Sequence, residues 1–187
     1  MKFAVLAPVA AGVTADPEWM STFARRVETC GTDFSSRGRR TDEQLEVMRL
    51  LWDDHPDGAS FHGEFFDFDH AMSYPKPAGR LPIHIGGHSR AAARRAGRIG
   101  DGFQPLVGPE LPDLVALMRS EAIELGRDPA ALELSLGHLV TKIDSGRAEK
   151  PAAMGADGIV LAMPPLPDLG EACDALSACA ARLQVSP

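Results

Sequence analysis

The chain has 187 residues, of which 44% are hydrophobic and 24% charged, a composition typical of a soluble globular domain. Its 19 basic and 26 acidic residues give a net charge of -7 with no long basic tract, which argues against nucleic acid or an anionic membrane as a partner. No apolar run approaches the ~18 residues of a transmembrane helix. We predict a single domain over residues 1–187 in the cytoplasm, whose apolar opening is a buried strand rather than a secretory signal.

The cysteines and histidines do not suggest a disulfide framework or a metal site. Cys30, Cys173 and Cys179 are scattered along the chain, and none belongs to a CxxC pair. His84 and His88 would share a face only on a helix, and the two glycines between them break a helix. We therefore expect reduced cysteines and no bound metal.

The first part of the chain is predicted to hold one strand and two helices. The apolar run Phe3–Leu6 predicts a buried strand. A helix is expected over about residues 17–30, because apolar residues recur there at helical spacing. A second helix is predicted over Thr41–Asp54, where Thr41 and Gln44 fit a capping box at its start.

The remainder of the chain is predicted to contain a hairpin and then alternating strands and helices. Two short alternating runs within Ser60–Asp69 predict a hairpin around His62 and Gly63. Later strands are predicted over Leu81–Ile85, Gly102–Leu106, Leu132–Val140 and Gly158–Met163, and helices over Arg90–Ile99, Leu111–Leu125, Ala148–Met154 and Asp168–Leu183. The last helix is expected to bury Leu169, Ala172, Leu176, Ala180 and Leu183. Strands that alternate with helices imply parallel pairing and right-handed crossovers.

The turn after the first of these later strands carries the most informative motif. The strand ends in Gly86 and Gly87, and Ser89 stands where the next helix begins. Free backbone N–H groups and the positive end of a helix suit a phosphate, and Arg90 or Arg94 would add charge. The alternative interpretation is an ordinary tight turn with a solvated arginine face.

Several segments, in their order and spacing, resemble one known family. The matching segments are Phe34–Glu43, Met48–Trp52, Ser60–Phe68, Pro75–Pro77, Pro82–Ser89 and Gly100–Phe103. Together they resemble the luciferase-like flavin- or deazaflavin-dependent oxidoreductases, and most of all the actinobacterial branch that uses coenzyme F-420. The resemblance covers about residues 32–106, with weaker agreement at both ends.

The resemblance implies an α/β fold, an incomplete TIM-like (β/α)8 barrel, for which ~250 residues are typical. Matched to such a barrel, Phe3–Leu6 is the first strand and the four later strands are the fifth to eighth. About three strands, the second to fourth, then have no counterpart, and the gap falls at Cys30–Thr32. Because the first and eighth strands are neighbours in a closed barrel, we predict a parallel arc in the order 5-6-7-8-1. Its two open edges favour association, so a homodimer is expected.

The resemblance also implies a cofactor site. The residues that correspond to the family's phosphate clamp are Gly86, Gly87, His88, Ser89 and Ala92. The expected cofactor is coenzyme F-420, with FMN as the alternative. The expected function is hydride transfer between this cofactor and a small organic substrate.

In the family, the ends of the second and fourth strands help to hold the cofactor ring and supply acid/base groups. Those strands have no counterpart in this chain, so no catalytic residue is assigned. The alternative function is that of a catalytically impaired remnant that serves as a cofactor-binding or protein-interaction module.

Other polar residues have both a functional and a structural interpretation. His138 lies near the end of the predicted seventh strand, the edge at which barrel enzymes place function, or is a structural histidine. His62 is either a base or a solvated hairpin side chain. The basic loop Arg37–Arg40 either contacts a cofactor tail or faces solvent, and Asp101 is expected to cap or turn its connection rather than do chemistry.

Overall fold

The computed structural model describes residues 33–166 and 168–184, and the chain forms two compact units. One unit ends at Leu81 and the other takes up the chain at Pro82. The predicted strand Phe3–Leu6 and the helix over residues 17–30 lie outside the described residues. The single domain over residues 1–187 stays a prediction.

The first unit contains a helix and a β-hairpin. A 3-10 turn over Phe34–Ser36 leads into α1, Arg37–Trp52, and the strands are β1, Ala59–His62, and β2, Asp67–Ala71. The strands pair antiparallel, which confirms the predicted hairpin.

The start of α1 corrects the prediction for this helix. The Thr41 hydroxyl donates to the carbonyl of Arg37 at 2.7 Å, so Thr41 lies inside the helix instead of capping it. The capping box with Gln44 was therefore a wrong prediction. Ser36 occupies the N-cap position, but its hydroxyl donates to the carbonyl of Asp33 at 2.7 Å within the preceding 3-10 turn and does not cap the helix.

Glu43 on α1 fixes the turn of the hairpin. Its carboxylate accepts from the backbone N–H groups of Glu64, Phe65 and Phe66 at 3.1, 2.8 and 2.7 Å. Burial acts to raise the pKa of Glu43, but the three hydrogen bonds outweigh it and the pKa is lowered. A Cβ atom on Gly63 would come within 2.2 Å of this carboxylate, so a side chain there would displace Glu43 from the turn.

The second unit is a parallel sheet with helices between its strands. The strands are β3, His84–Gly86; β4, Gly102–Gln104; β5, Glu133–Leu139; and β6, Gly158–Ala162. The helices are α2, Arg90–Ile99; α3, Leu111–Glu124; α4, Ser145–Ala153; and α5, Leu169–Leu183. The sheet order is β3-β4-β5-β6 and every pair is parallel, which matches the predicted order 5-6-7-8.

The core of this unit lies between the sheet and its helices. Phe103, Leu134 and Leu136 point from neighbouring strands into it and are at most 1% exposed. Met118 on α3 is also fully buried. A Cβ atom on Gly97 of α2 would lie 2.3 Å from the Met118 carbonyl oxygen, so glycine permits the close approach of these two helices.

Two aspartates join the beginnings of neighbouring strands in the same way. The Asp101 carboxylate accepts from the N–H of Ile83 at 2.8 Å, and the Asp101 N–H donates to the Ile83 carbonyl at 2.7 Å. Asp157 makes both contacts with Leu134, each at 2.8 Å. The predicted structural role of Asp101 is confirmed, and the identical role of Asp157 is an addition.

The buried face of α5 differs from the prediction. Leu169 and Leu176 were expected in the core but are 79% and 51% exposed. The helix instead buries Cys179 against Val140 and Ile143 in the segment after β5. A small thiol fits this close contact, because sulfur behaves here as a compact apolar group.

Candidate functional site

The glycine pair forms an open turn at the end of β3. Gly87 has φ +127°, a conformation that favours glycine, and a Cβ atom there would lie 3.1 Å from the Cβ of Ala92. A Cβ atom on Gly86 would meet nothing within 4 Å, so the space above it is open. The Gly87 N–H donates to the carbonyl of Gln104 at 3.2 Å and ties the turn to the end of β4. We call residues 86–89 the glycine cradle.

Ser89 caps α2 as predicted. Its backbone is extended, its hydroxyl oxygen accepts from the N–H of Ala92 at 3.2 Å, and its carbonyl accepts from Ala93 at 3.0 Å. The other N–H groups of the first turn have no acceptor within the helix, and the helix dipole favours negative charge at this end. The Ala92 side chain is buried and its N–H is taken by Ser89, so Ala92 supports the turn rather than offering a free donor.

His88 joins the cradle to the loop between β4 and α3. Its ring lies beside Gly108, where a Cβ atom would be 3.6 Å from Nε2, and Nε2 is 3.5 Å from a carboxylate oxygen of Glu110. Its Nδ1 is buried and has no hydrogen-bond partner among the described residues. A buried polar atom left unpaired is costly, so this nitrogen is suited to receive a ligand group.

The arginines of α2 are placed differently from the expectation. Arg90 or Arg94 was expected to add charge at the phosphate position, but the Arg94 guanidinium is 2.9 Å from Glu121 on α3, and Arg98 is 3.5 Å from the same side chain. Arg94 therefore joins two helices instead of serving the cradle. Arg90, the first residue of α2, is exposed.

Exposed apolar side chains follow the strands at the same edge of the sheet as the glycine cradle. They are Leu106 and Val107 after β4, Leu139 at the end of β5 and Met163 after β6. Leu106 is 70% exposed. The carboxyl ends of parallel strands form one edge, so apolar surface lies beside the glycine cradle, an arrangement suited to a planar ring that carries a phosphate. Sequence reasoning missed this surface, although an apolar pair between a strand and Gly108 was a readable signal.

His84 makes a second polar cluster at the opposite ends of the strands. Its Nδ1 is 3.3 Å from the Ser135 hydroxyl and its Nε2 is 3.1 Å from the Glu133 carboxylate. A Cβ atom on Gly102 would lie 2.7 Å from the ring, so the imidazole crosses β4 at a glycine to reach β5. Within the described ranges, no three His, Cys, Asp or Glu side chains are placed to hold a metal ion.

The two remaining histidine candidates have local partners. His62 in the hairpin has Nδ1 2.7 Å from Asp67 and Nε2 3.4 Å from Asp69. The hydrogen bond with Asp67, followed by the charge of Asp69, raises the pKa of His62. The Nδ1 atom of His138 is 3.2 Å from the carbonyl oxygen of Leu139, so this ring is engaged by the adjoining backbone.

The basic segment at the start of α1 faces the hairpin. The Arg40 guanidinium lies 4.6 Å and the Arg39 guanidinium 5.4 Å from the centre of the Phe65 ring, and Arg39 also pairs with Glu64. Both arginine side chains are therefore engaged in contacts within the first unit. The expectation that this segment contacts a cofactor tail stays a prediction.

Lys76 accounts for the motif Pro75–Pro77. Its ammonium donates to the carbonyls of Leu51 and Asp53 at 2.9 and 2.6 Å and so satisfies the end of α1. It also lines an open cleft of about 510 Å³ in the first unit, together with Arg49, Trp52, Asp53, Asp54, Pro77, Gly79, Arg80 and Leu81. Lys76 is committed to the helix end, which is a structural role.

The fold and the motifs together define the class of protein. The sequence pattern of the family described as luciferase-like monooxygenase matches residues 20–149, and the chain belongs to this family. The parallel arc β3 to β6 is a part of the family's TIM-like barrel, so the predicted α/β fold with an incomplete barrel is confirmed. Among the described residues, none of the helices combines the length and the apolar character that a membrane crossing requires.

The curated relatives align with about half of this chain. An uncharacterized protein of Mycobacterium tuberculosis is 39% identical over 102 residues, which are 54% of this chain and 34% of that protein. An F-420-dependent glucose-6-phosphate dehydrogenase of Segniliparus rotundus is 31% identical over 105 residues, 54% of this chain and 31% of the enzyme. The chain therefore spans about a third of the length of these relatives.

Solved structures confirm the fold. An F-420-dependent secondary alcohol dehydrogenase, in complex with an F-420–acetone adduct, superposes with a TM-score of 0.62 at 19% identity and covers 79% of this chain and 62% of the enzyme. A coenzyme F-420-dependent tetrahydromethanopterin reductase of Methanopyrus kandleri gives 0.56 at 12% identity, with 74% and 61% covered. At these identities the likeness concerns the fold alone.

Proposed function

We propose that the glycine cradle binds the phosphate of coenzyme F-420 and that the protein takes part in hydride transfer between this cofactor and a small organic substrate. The observation that carries the proposal is the open turn at Gly86 and Gly87 against the capped start of α2. Relatives named as F-420-dependent dehydrogenases support a deazaflavin, and FMN is the alternative cofactor.

The residues present fit such a cofactor at two points. A side chain on Gly87 would meet Ala92, so glycine leaves room for an anion close to the backbone, and the unpaired Nδ1 of His88 lies in the same turn. The exposed Leu106 and Val107 offer apolar surface at the same edge for the ring.

The bound deazaflavin would supply the hydride chemistry. The chain's own residues would hold and orient it: backbone N–H groups at the start of α2 bind the phosphate, and the loop after β4 excludes water from one side of the ring. No described residue is assigned as the acid or base for the substrate.

A non-catalytic role is the second candidate, because the chain spans about a third of its relatives. In this case the protein binds the cofactor without turning over a substrate, or serves as a protein-interaction module. A homodimer and a cytoplasmic location remain part of the proposal and rest on the sequence analysis.

The test is a fluorescence titration of the protein with coenzyme F-420 and, separately, with FMN. Gly87→Asp should weaken binding at least about ten-fold, because it adds a negative charge and a side chain where the phosphate approaches. Gly155→Asp is the matched control, since Gly155 also has positive φ, +82°, and a Cβ atom there meets nothing within 4 Å.

Binding of F-420 that is lost in the Gly87 variant and kept in the Gly155 variant supports the cradle assignment, once thermal melts show that both variants fold. Equal binding by wild type and Gly87→Asp would refute it. Hydride transfer to or from bound F-420, followed by absorbance with candidate alcohols and aldehydes, separates the enzyme from the non-catalytic binder.

A further inference from the structure

A carboxylate stands beside the proposed phosphate position. Glu110 precedes α3, and its backbone carbonyl accepts from the N–H of Leu114 at 3.0 Å, which fixes its main chain. Its side chain is 71% exposed and lies 3.5 Å from Nε2 of His88. Because His88 belongs to the glycine cradle, the Glu110 charge lies within about one Debye length of the cradle backbone, ~8 Å at physiological salt.

Of the arginines on α2, only Arg90, the exposed first residue, lies next to the cradle. Arg94 and Arg98 of α2 are paired with Glu121 on α3. The attraction that the cradle offers to an anion therefore comes from backbone N–H groups, the helix dipole, equivalent to about half a positive charge, and the solvent-screened charge of Arg90. A site of this kind holds one negative charge more readily than two.

We infer that Glu110, held in place by His88, is a specificity-determining residue that makes the glycine cradle prefer a phosphodiester to a terminal phosphate monoester. The inference rests on the proposed function and deepens it. The phosphate of coenzyme F-420 is a diester with one negative charge. FMN ends in a monoester, whose charge at neutral pH approaches two.

The size of the preference follows from Coulomb's law. A unit charge at ~8 Å from Glu110 is disfavoured about two- to six-fold, depending on whether the solvent between them screens as bulk water or half as well. FMN carries a second negative charge that the diester lacks, and the repulsion by Glu110 weakens FMN binding by this factor a second time. Removing the Glu110 charge should therefore shift the ratio of the two affinities toward FMN by about two- to six-fold.

The experiment measures the Kd of F-420, FMN and riboflavin for wild type, Glu110→Gln and Glu124→Gln. Glu124 ends α3 at its other terminus and is exposed, so its variant controls for loss of one negative charge far from the cradle. Glu110→Gln is expected to tighten FMN more than F-420 and to leave riboflavin, which has no phosphate, unchanged. The shift should shrink in about 0.5 M salt, because screening weakens a charge effect but not a packing effect.

The outcomes distinguish failure of this inference from failure of the proposed function. F-420 binding by wild type, with equal effects of Glu110→Gln on F-420 and FMN or an equal change for riboflavin, overturns this inference and leaves the proposed function standing. A change in Glu124→Gln as large as in Glu110→Gln also overturns it. Failure of wild type to bind either phosphorylated cofactor overturns both claims.

Discussion

The contact between α2 and α3 gives a prediction in which two effects of one substitution compete. Gly97 lies within α2, so Gly97→Ala raises the helix propensity, which by itself contributes about 1 kcal/mol of stability. The added Cβ atom would lie 2.3 Å from the carbonyl oxygen of Met118 and 2.9 Å from the Cβ of Glu121. Contact atoms normally stand ~3.5 Å apart, so the helices must separate by roughly 1 Å.

The cost of overpacking determines whether Gly97→Ala lowers or raises the free energy of unfolding. Such a shift in a packed interface costs about 1–3 kcal/mol, and Met118 beneath it is fully buried. Set against the ~1 kcal/mol gain in helix propensity, this leaves a net loss of up to about 2 kcal/mol in the free energy of unfolding and a fall in Tm of up to roughly 8 °C. The matched variant is Gly146→Ala in α4, where the new Cβ would stand at an ordinary 3.7 Å from Asp144. It should gain about 0.4–1 kcal/mol.

The assay is thermal and urea unfolding of wild type and the two alanine variants, followed by circular dichroism. Opposite signs for Gly97→Ala and Gly146→Ala are the expected result. A rise in Tm for Gly97→Ala equal to that for Gly146→Ala would refute the reasoning, because propensity alone would then explain both.

Two further predictions concern single hydrogen-bonded groups. Asp101→Ala leaves the buried N–H of Ile83 without its acceptor and should cost about 1–3 kcal/mol in urea unfolding, whereas Asp101→Asn keeps an acceptor oxygen and should cost less. In the hairpin, the pKa of His62 is raised chiefly by its hydrogen bond with Asp67, so NMR titration of Asp67→Asn should show a lower pKa. The stabilisation from this pair is complete below the unfolded-state pKa of His62 and is lost as pH rises through the folded-state pKa, and a titration unaltered by Asp67→Asn would contradict the assignment.

Local signals predicted the elements around the site well. The turn, the cap and the bounds of α2, Arg90–Ile99, were predicted from Gly86, Gly87 and Ser89. Glycine flexibility and serine capping act within a few residues, so the local sequence reveals them. Parallel pairing followed from strands that alternate with helices, and the strand order followed from the resemblance to a closed barrel.

Contacts between distant segments were the part that the sequence did not reveal. The N-terminal extension of α1 to Arg37 and the burial of Cys179 in place of Leu176 depend on what packs against each helix. The sequence also did not reveal the ion pair of Arg94 with Glu121 on another helix or the position of Glu110 beside His88. Such pairs follow from tertiary packing, which helical spacing alone does not specify.

The repeated aspartate contact explains how the strand register of this sheet is held. Parallel strands have no hairpin turn to set their alignment, and a slip of one residue would move every side chain to the other face. Asp101 and Asp157 each precede a glycine that begins a strand, and each grips both backbone groups of one residue on the neighbouring strand. Only one alignment satisfies the carboxylate and the main chain together, so the Asp-Gly pairs fix the register of β3 against β4 and of β5 against β6, and the first of them fixes the edge on which the glycine cradle opens.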